Sequence, residues 1–404
     1  MRHAAACVGF CLLNACGNGG SLPPLLGQTG DSGTQPDATV PTDDATAVTD
    51  SSTSTDAPRD ASLNATYYAG CNAPCASGCT GLCSAGRCLD TVVDGVVIVN
   101  NRSVVDETSV YWYGLVGDAA ILDYSVQSAP KAGGGSVATL ASYDRMADAG
   151  FMAVEPIAGY GGAVFFGTIG PDDYGPGQVF AAWTDGGVRD IFSPDGGAIL
   201  GLATNAGGIY ASFSSNPPSL ASVLVVAIDG GAPKTIYTRP VGGLGAGAGA
   251  LAVNSKSLAW VVGTAYPYGG ILSGSLDGST ELVNVALGAD LGFARIAMDE
   301  TYVYWQGNES QTVRNRIYRA PIRGGGPIEL FLEDDIIEAF AVDDTSFYWA
   351  AAHPGGTPYL YSQAKIPTAG GPVTLSSCEE AGGISIDDAY VYVTSDSIVW
   401  RAPK

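Results

Sequence analysis

The feature that most constrains the fold is a short pattern that recurs seven times along the chain. In each copy a turn residue is followed four positions later by an apolar residue and, within two further positions, by an aromatic one. Successive turn residues are 54, 45, 49, 45, 44 and 44 residues apart, which indicates one repeated structural unit. The copies begin at Asp106, Tyr160, Asn205, Asn254, Asp299, Asp343 and Asp387.

One copy, Ile296–Leu332, shows what the unit contains. A short apolar strand ends at Asp299, an aromatic strand follows at Tyr302–Gln306, and a polar loop leads to a third strand at Arg316–Ile322. The glycine turn Gly324–Gly326 then leads to a fourth, apolar strand. Four antiparallel strands in roughly 40–50 residues are typical of one blade of a β-propeller. The sequence therefore predicts an all-β, seven-bladed β-propeller, and because the second copy is degenerate, six or eight blades remain open.

A ring of blades needs a closing strand, and the sequence offers one ahead of the first copy. The last copy ends with a third strand in Ser397–Lys404 and supplies no fourth. The apolar run Val92–Val99 has no partner strand within the first copy. We predict that this N-terminal strand pairs outside Ile398–Arg401, because that pairing closes the ring and leaves no long sheet edge exposed.

Several copies share more than the basic pattern. The shared residues are Val303-Tyr304-Trp305, Ile317-Tyr318-Arg319-Ala320 and Gly324–Gly326 in one copy, Phe347-Tyr348-Trp349 in the next, and Val391-Tyr392 with Trp400-Arg401-Ala402 in the last. These copies resemble YWTD-type repeats, and more broadly TolB-like and related exported bacterial propellers, over about residues 92–404. They depart from the YWTD type at Gln306-Gly307 and Ala350-Ala351, where Thr-Asp is expected, and in the number of blades. The resemblance therefore implies the propeller architecture alone, with no ligand and no catalytic residue.

Residues 1–16 resemble a bacterial lipoprotein signal peptide. Arg2 precedes the apolar stretch Ala4–Leu13, and Leu13-Asn14-Ala15-Cys16 resembles a lipobox, whose cysteine is lipidated and becomes the first mature residue. The resemblance implies an exported lipoprotein of a bacterial cell envelope or outer membrane, held by acyl chains on Cys16. A plain secretory signal is the alternative. Residues 17–66 are rich in Ser, Thr, Asp and Pro and predict a disordered tether.

Six further cysteines predict a small disulfide module at residues 67–90, ahead of a propeller at 91–404. They are Cys71, Cys75, Cys79, Cys83 and Cys88, with Cys378 far downstream. An even number of cysteines in an exported chain favours disulfides. Two bonds within the cluster leave one cysteine over, which favours a third bond to Cys378. The alternative is a metal site, but the paired Cys-x-x-Cys spacing of such sites is missing.

Charge and composition argue against several classes of function. The net charge is −22 and no Lys/Arg cluster is present, which opposes binding to nucleic-acid phosphates. No apolar run reaches the roughly 20 residues of a spanning helix, so membrane contact is predicted through the lipid anchor alone. The glycine run Gly242–Gly249 lacks the Gly-Lys-Ser/Thr of a phosphate-binding loop. We expect a monomer that uses no cofactor.

The titratable residues give little support to catalysis. Only His3 and His353 are present, and His3 lies in the signal peptide, so one chain cannot build a Ser-His-Asp set or a multi-histidine metal site. Asp299, Asp343 and Asp387 recur with the turns and are expected to accept hydrogen bonds from nearby backbone N–H groups. A non-enzymatic binding protein is therefore predicted. A polysaccharide lyase or hydrolase that uses carboxylate or tyrosine chemistry, and a purely structural envelope role, remain open.

The predicted binding surface follows from the geometry of propellers. The second-to-third loops and the interblade connections lie on one face, here the variable face, and the other turns lie on the opposite turn face. In this sequence the loops of the variable face differ in length and content, and binding residues usually sit on such loops, although loops also vary by neutral drift. The predicted ligand is a protein or a glycan. The candidate binding residues are Asp172, Asp173, Tyr174, Tyr266, Tyr268, Asn308, Glu309 and His353.

Overall fold

The described part of the chain is entirely β-structure. The structure is a computed structural model and describes residues 82–84, 87–117, 122–143, 157–168, 177–193, 197–215, 220–240, 248–263, 269–287, 295–307, 315–352, 359–366, 371–376 and 382–404. All regular elements in these ranges are strands, and they form seven separate antiparallel sheets. The predicted all-β fold with seven blades is confirmed.

The strands are numbered in chain order. The first two, β1 (Leu82–Ser84) and β2 (Arg87–Asp94), belong to the last blade. Blade 1 consists of β3 (Ile98–Val105), β4 (Ser109–Gly117), β5 (Leu122–Pro130) and β6 (Ala138–Tyr143). Blade 2 consists of β7 (Ile157–Tyr160), β8 (Ala163–Thr168), β9 (Gln178–Trp183) and β10 (Val188–Phe192). Blade 3 consists of β11 (Ala198–Asn205), β12 (Gly208–Ser215), β13 (Leu220–Val226) and β14 (Lys234–Pro240).

Blades 4 to 7 complete the set. Blade 4 consists of β15 (Ala248–Val253), β16 (Ser257–Val262), β17 (Gly270–Ser275) and β18 (Val283–Leu287), and blade 5 of β19 (Ile296–Met298), β20 (Tyr302–Gly307), β21 (Asn315–Pro321) and β22 (Glu329–Asp334). Blade 6 consists of β23 (Ile336–Val342), β24 (Ser346–Ala352), β25 (Tyr359–Ala364) and β26 (Val373–Ser376). Blade 7 consists of β27 (Gly383–Ile386), β28 (Tyr390–Thr394) and β29 (Ile398–Pro403), together with β2 and β1.

The blades form a closed ring around a central channel. The first strand of each blade lies beside the first strand of the next, in the order β3, β7, β11, β15, β19, β23, β27 and back to β3. These seven inner strands therefore line the channel, and the later strands of each blade lie progressively further out. The variable face lies at the end where the inner strands begin, and the turn face lies at the end where they finish.

The N-terminal strand closes the ring, with boundaries that differ from the prediction. β2 pairs antiparallel with β29, with Thr91 opposite Trp400, so the outer part of blade 7 comes from the N-terminal side of the chain. The predicted strand Val92–Val99 is divided, because Gly95 adopts a φ of 73° and its N–H donates to Asp94 Oδ1. The backbone turns there, so residues up to Asp94 pair in blade 7, while β3 starts blade 1.

Aromatic side chains fill the spaces between blades. Five tryptophans are fully buried: Trp112, Trp260, Trp305, Trp349 and Trp400. Between blades 5 and 6, the ring centroid of Tyr304 lies 5.7 Å from that of Phe347. Each such side chain removes roughly 150–250 Å² from water, so the recurring aromatics dominate the stability of the ring. The prediction that they pack between blades is confirmed.

Two glycine turns show why this residue is required between the third and fourth strands. Gly133 and Gly324 have φ values of 76° and 65°. A Cβ atom at Gly133 would lie 2.9 Å from the Thr91 carbonyl oxygen, and one at Gly324 would lie 2.6 Å from that of Asn284. Each turn thus packs against the outer strand of the preceding blade. Any other residue would strain the backbone and clash with that strand.

Candidate binding site

Asp299 shows how the recurring turn carboxylates are used. Its Oδ1 accepts hydrogen bonds from the N–H groups of Thr301 (2.6 Å) and Tyr302 (2.7 Å). Its Oδ2 accepts from the Tyr304 hydroxyl (2.9 Å) and from Lys365 Nζ (2.6 Å). Burial alone would raise the pKa of Asp299, but the bonds from Lys365 and the backbone lower it below its usual value. The predicted structural role of this carboxylate is confirmed.

The same arrangement recurs in the next two blades. Lys404 Nζ lies 2.6 Å from Asp343 Oδ2, and Lys131 Nζ lies 2.6 Å from Asp387 Oδ2. Burial opposes ionisation in both pairs, yet hydrogen bonds from the lysine and from backbone N–H groups lower the pKa of each carboxyl to about 2. Each lysine belongs to the blade that follows its aspartate. The three ion pairs therefore join blades 5 and 6, 6 and 7, and 7 and 1.

The other four junctions between blades are joined by hydrogen bonds near the same face. The bonds run from Gly162 N to Asp106 Oδ2 (2.8 Å, blades 1 and 2), from Thr204 Oγ1 to Gly159 O (3.1 Å, blades 2 and 3), from Asn205 Nδ2 to Asn254 O (2.9 Å, blades 3 and 4) and from Asn254 Nδ2 to Asp299 O (2.8 Å, blades 4 and 5). All seven junctions thus carry a polar link. The polar groups of the turn face thus link neighbouring blades, and the opposite, variable face carries the candidate binding features.

The predicted site residues fall mostly outside the described residues. This applies to Asp172, Asp173, Tyr174, Tyr266, Tyr268, Asn308, Glu309 and His353, and also to Cys16, Cys71, Cys75, Cys79 and Cys378. Cys83 and Cys88 lie on β1 and β2, whose register sets them opposite each other. The disulfide pairing and the roles of these loops remain predictions.

The central channel contains a cavity of about 190 Å³, lined by residues of all seven inner strands or directly beside them. Two arginines, Arg102 of β3 and Arg295 just before β19, line it together with thirteen uncharged residues. Apolar walls come from residues such as Leu202, Leu251 and Phe340 on three further inner strands. A cation in a concave site with apolar walls attracts anions more strongly than one on an open surface. The cavity thus places two arginine side chains among largely apolar walls.

Arg295 reaches blade 7, which neighbours the blade that carries Arg102. The guanidinium of Arg295 donates from Nη1 and Nη2 to the Gly382 carbonyl oxygen, at 3.3 and 3.4 Å, and so crosses from blade 5 to the start of blade 7. Arg102 lies in an irregular stretch of β3, where the pairing with β4 shifts between Ile98 and Ser103. Ser103 Oγ lies 3.1 Å from Ser385 Oγ of blade 7, so β3 borders the same blade that Arg295 reaches.

A stack of aromatic rings leads from the core of blade 6 to the variable face. The ring of Tyr361 stacks on Trp349 at 5.1 Å between centroids, and the half-buried Tyr359 stacks on Tyr361 at 5.7 Å. Tyr359 is the first residue of β25, directly after a second-to-third loop. Trp349 Nε1 donates to Asp334 Oδ2 of blade 5 at 2.8 Å, which fixes the inner end of the stack.

Polar side chains of blade 5 lie beside this stack on the same face. Gln306 Nε2 donates to Asn315 Oδ1 (2.8 Å) and to the Ile337 carbonyl oxygen of blade 6 (3.0 Å). Arg316 Nε lies 2.9 Å from Glu333 Oε2. The edge between blades 5 and 6 therefore combines a tyrosine platform with amide, carboxylate and guanidinium groups.

Sequence reasoning did not identify Arg102, Arg295 or Tyr359. The Tyr359-x-Tyr361 alternation was a usable signal, since residues two apart in a strand share a face. The arginines were harder to find, because their position in the channel depends on the closed ring.

Within the described ranges, no three His, Cys, Asp or Glu side chains form a group that could hold a metal ion. Within the same ranges, no helix has the length and apolar character needed to cross a membrane.

The fold and the site define a seven-bladed β-propeller with an arginine-lined channel. The sequence matches no known protein family and no curated protein. Among solved structures it is similar to oligogalacturonate lyase from Vibrio parahaemolyticus (10% identity, TM-score 0.53, covering 79% of this chain and 94% of that one). It is also similar to the β-propeller domain of the trilobed protease from Pyrococcus furiosus (9% identity, TM-score 0.51, covering 76% of this chain and 95% of that one).

A third similar structure is an acylaminoacyl peptidase from Pyrococcus horikoshii (10% identity, TM-score 0.52). The present chain spans about half of the length of that peptidase, 52%. At these identities the likeness shows the propeller fold alone.

Proposed function

We propose that this protein is a non-enzymatic, surface-tethered propeller that binds a glycan at its variable face. The observation that carries the proposal is the stack of Tyr359, Tyr361 and Trp349 at the edge between blades 5 and 6. The C–H face of a sugar ring packs on the flat face of an aromatic ring, whose electron density is negative. A tyrosine supported by two further rings is a rigid platform that loses little conformational entropy when a ligand binds.

The polar groups beside the platform suit the hydroxyls of a sugar. Amides both donate and accept hydrogen bonds, carboxylates accept them and guanidinium groups donate them. Gln306, Asn315, Arg316 and Glu333 already hold one another in fixed positions, so they are preorganised for a ligand. A protein partner on the same face is the alternative outcome of the test below.

The titratable groups of the turn face support a binding role over catalysis. Efficient general acids and bases have pKa values near the working pH. Here the pKa values of Asp343 and Asp387 are lowered to about 2, and burial with the neighbouring Asp343 raises the pKa of Tyr348 to about 12. These groups keep one protonation state near neutral pH and serve the junctions between blades.

The test is a glycan-binding measurement on the full chain, with two tyrosine variants. The full chain is screened on a glycan array, and its affinity for the sugars that bind is measured by calorimetry. Tyr359→Ala is expected to weaken binding at least tenfold, because the platform is lost. Tyr302→Ala is the matched control: Tyr302 is also half-buried and stacks on a charged side chain, Arg319, but it lies on the turn face.

The outcomes separate the alternatives. Equal weakening by both variants, or none by Tyr359→Ala, would contradict a glycan site at this edge. Capture of a protein by the full chain but not by Tyr359→Ala would replace the glycan with a protein partner. Release of shortened sugars during incubation would indicate the lyase or hydrolase alternative.

The proposed location has a test of its own. We infer from the lipobox that Cys16 carries the lipid that holds the tether in the envelope. Cys16→Ser is expected to move the protein from the membrane fraction to the soluble fraction and to abolish labelling by a fatty-acid probe. Unchanged membrane association would contradict the anchor.

A further inference from the structure

The two outermost strands of blade 7, β1 and β2, carry cysteines at opposed positions. These strands form the closing hairpin, whose register sets Cys83 opposite Cys88. Directly opposed residues of antiparallel strands have Cα atoms about 4.5 or 5.5 Å apart, and a disulfide needs roughly 4.4–6.8 Å. Cys88 is disulfide-bonded. The register therefore favours Cys83 as the partner of Cys88.

The other cysteines are consistent with this pairing. Among the residues that the structure describes, only Cys83 and Cys88 are cysteines. A bond between them leaves four predicted disulfide cysteines, an even number. They are Cys71, Cys75, Cys79 and Cys378. The predicted bond from the cluster to Cys378 can therefore still form.

The closing hairpin is the part of the chain on which closure of the ring depends. β1 has three residues and pairs with β2 alone, and an isolated two-stranded hairpin is only marginally stable in water. β2 pairs with β29 over Asp90–Asp94, and the register of that pairing shifts between Thr91 and Val93. The contact that closes the ring is therefore short and irregular. A covalent bond within the hairpin stabilises it by restricting the conformations of the open chain.

Side chains of β2 connect the closing hairpin to both neighbouring blades. Cys88 Sγ lies 3.8 Å from Asp90 Oδ1, and Asp90 Oδ2 accepts from Arg401 Nη2 (3.0 Å) and Nε (3.2 Å). Arg401 Nη1 in turn donates to the Lys131 carbonyl oxygen of blade 1. Leu89 is fully buried in the core between blades 6 and 7. An ordered hairpin thus places β2 residues in contacts on both sides of blade 7.

We propose that Cys83 and Cys88 form a cross-strand disulfide that holds the closing hairpin together, so that closure of the ring depends on oxidation. As the Sγ–Sγ bond forms, the two thiols lose two protons and two electrons. A disulfide oxidant takes up the electrons and is reduced to thiols. Oxidising compartments favour the bond and reducing ones oppose it, so in an exported chain closure follows export. This inference is independent of the glycan site.

Peptide mapping without reduction tests the pairing. Free thiols of the denatured full chain are alkylated before digestion with trypsin, which cuts after arginine and lysine. The digestion places Cys83 in peptide 60–87 and Cys88 in peptide 88–102. Mass spectrometry is expected to find these two peptides joined in the wild type. A bond from peptide 88–102 to the peptide that contains Cys378 would overturn the pairing.

Two variants locate the bond, because peptide 60–87 contains three other cysteines. Cys83→Ser is expected to release peptide 88–102 with an alkylated thiol on Cys88. Cys79→Ser is the matched control and is expected to leave the two peptides joined. Peptides that stay joined in Cys83→Ser, or that separate in Cys79→Ser alone, would contradict a bond from Cys83 to Cys88.

Hydrogen exchange tests the effect on closure. The full chain is compared with a double variant, Cys83→Ser with Cys88→Ser, and β29 is followed beside β20 and β21 of blade 5. Without the disulfide, the amides of β29 are expected to exchange at least tenfold faster, because β2 detaches more often, while those of blade 5 keep their rates. Cys79→Ser is again the control and is expected to exchange at β29 like the wild type.

A reductant provides the same comparison without a substitution. Dithiothreitol, added to the folded wild type, is expected to accelerate exchange at β29 and to have no further effect there on the double variant. This measurement decides the question if the double variant does not fold. Unchanged exchange at β29 after loss of the disulfide, or equal acceleration at β29 and in blade 5, would overturn the role of the bond in closure.

Discussion

Lys365 of blade 6 lies 2.6 Å from Asp299 of blade 5, and both side chains are almost fully buried, with 11% and 5% of their surface exposed. At the preceding junction, the position that corresponds to this buried ion pair is uncharged. There, Ile322 of blade 5 occupies the position that Lys365 has in blade 6. The two positions correspond because the N–H group of each donates to the carbonyl oxygen of the second residue after the turn Asp of its own blade. In blade 4, the residue that corresponds to Asp299 is Asn254. The chain therefore uses two alternative solutions for one geometry, an ion pair and an uncharged pair.

Loss of one partner of the buried ion pair is expected to be costly. Lys365→Met leaves the Asp299 carboxylate buried without its cation, which typically costs about 3 kcal/mol or more. The double variant Asp299→Asn with Lys365→Ile copies the uncharged junction and is expected to recover most of that loss. The free energy of unfolding, measured with a chemical denaturant, tests both expectations.

An exposed ion pair provides the control for this prediction. Lys256 lies 3.7 Å from Glu300, with 81% and 43% of the side chains exposed. Lys256→Met is expected to change the free energy of unfolding by less than about 1 kcal/mol. A Lys365→Met variant as stable as Lys256→Met would show that the buried pair contributes nothing net.

Acid is expected to weaken the ring through Asp343 and Asp387. The pKa of each is lowered from 3.8 to about 2 in the folded chain. Because the folded pKa lies below the unfolded one, the stabilisation is fully present above roughly pH 4 and is lost as the pH falls towards 2. Each carboxylate accounts for roughly 2 kcal/mol of this loss. Denaturant titrations at a series of pH values measure it.

A lysine variant tests whether the interblade pairs cause the acid sensitivity. Lys131→Met removes the cation beside Asp387, so the unfolding free energy is expected to be lower at neutral pH and to fall less steeply in acid. Lys256→Met again serves as the control and is expected to keep the wild-type slope. An unchanged slope in Lys131→Met would assign the acid sensitivity to other groups.

The fold could be predicted from the sequence because its signal is repeated. A single copy such as Ile296–Leu332 is ambiguous, but seven turn residues at a near-constant spacing leave few architectures. The boundary of the closing strand had a usable signal that the prediction missed. Asp94-Gly95 is a turn-forming dipeptide between the apolar stretches Val92-Val93 and Val96–Val99, and the chain changes blades there.

The candidate site was less accessible to sequence reasoning. The loops were identified by their variation, whereas the features that the structure describes lie on strands or, for Arg295, directly before one. Tyr359 and Tyr361 form a platform only because Trp349 of the neighbouring strand supports them. Arg102 and Arg295 are almost 200 residues apart in the chain and meet only because the ring closes.

Two buried tryptophans are expected to respond differently to substitution by phenylalanine. Trp112 Nε1 donates to Gln127 Oε1 at 3.0 Å, whereas Trp260 Nε1 is buried and has no hydrogen-bond partner among the described residues. Both changes remove a similar volume, but Trp112→Phe also leaves the buried Gln127 oxygen without its donor, which costs about 1–3 kcal/mol. Trp112→Phe is thus expected to destabilise more than Trp260→Phe. Equal losses of unfolding free energy would contradict the proposed value of this bond.

Removal of the closing strand is expected to open the ring at blade 7. A chain that begins at residue 96 lacks β2, so the backbone groups of β29 that now pair with it form an exposed edge. Such edges pair with other chains, and loss of the fully buried Leu89 also uncovers the core between blades 6 and 7. We expect aggregation in light scattering and a lower unfolding midpoint. A chain that begins at residue 60 keeps β1 and β2 and is the control; if both chains are monomeric and equally stable, β2 is dispensable for closure.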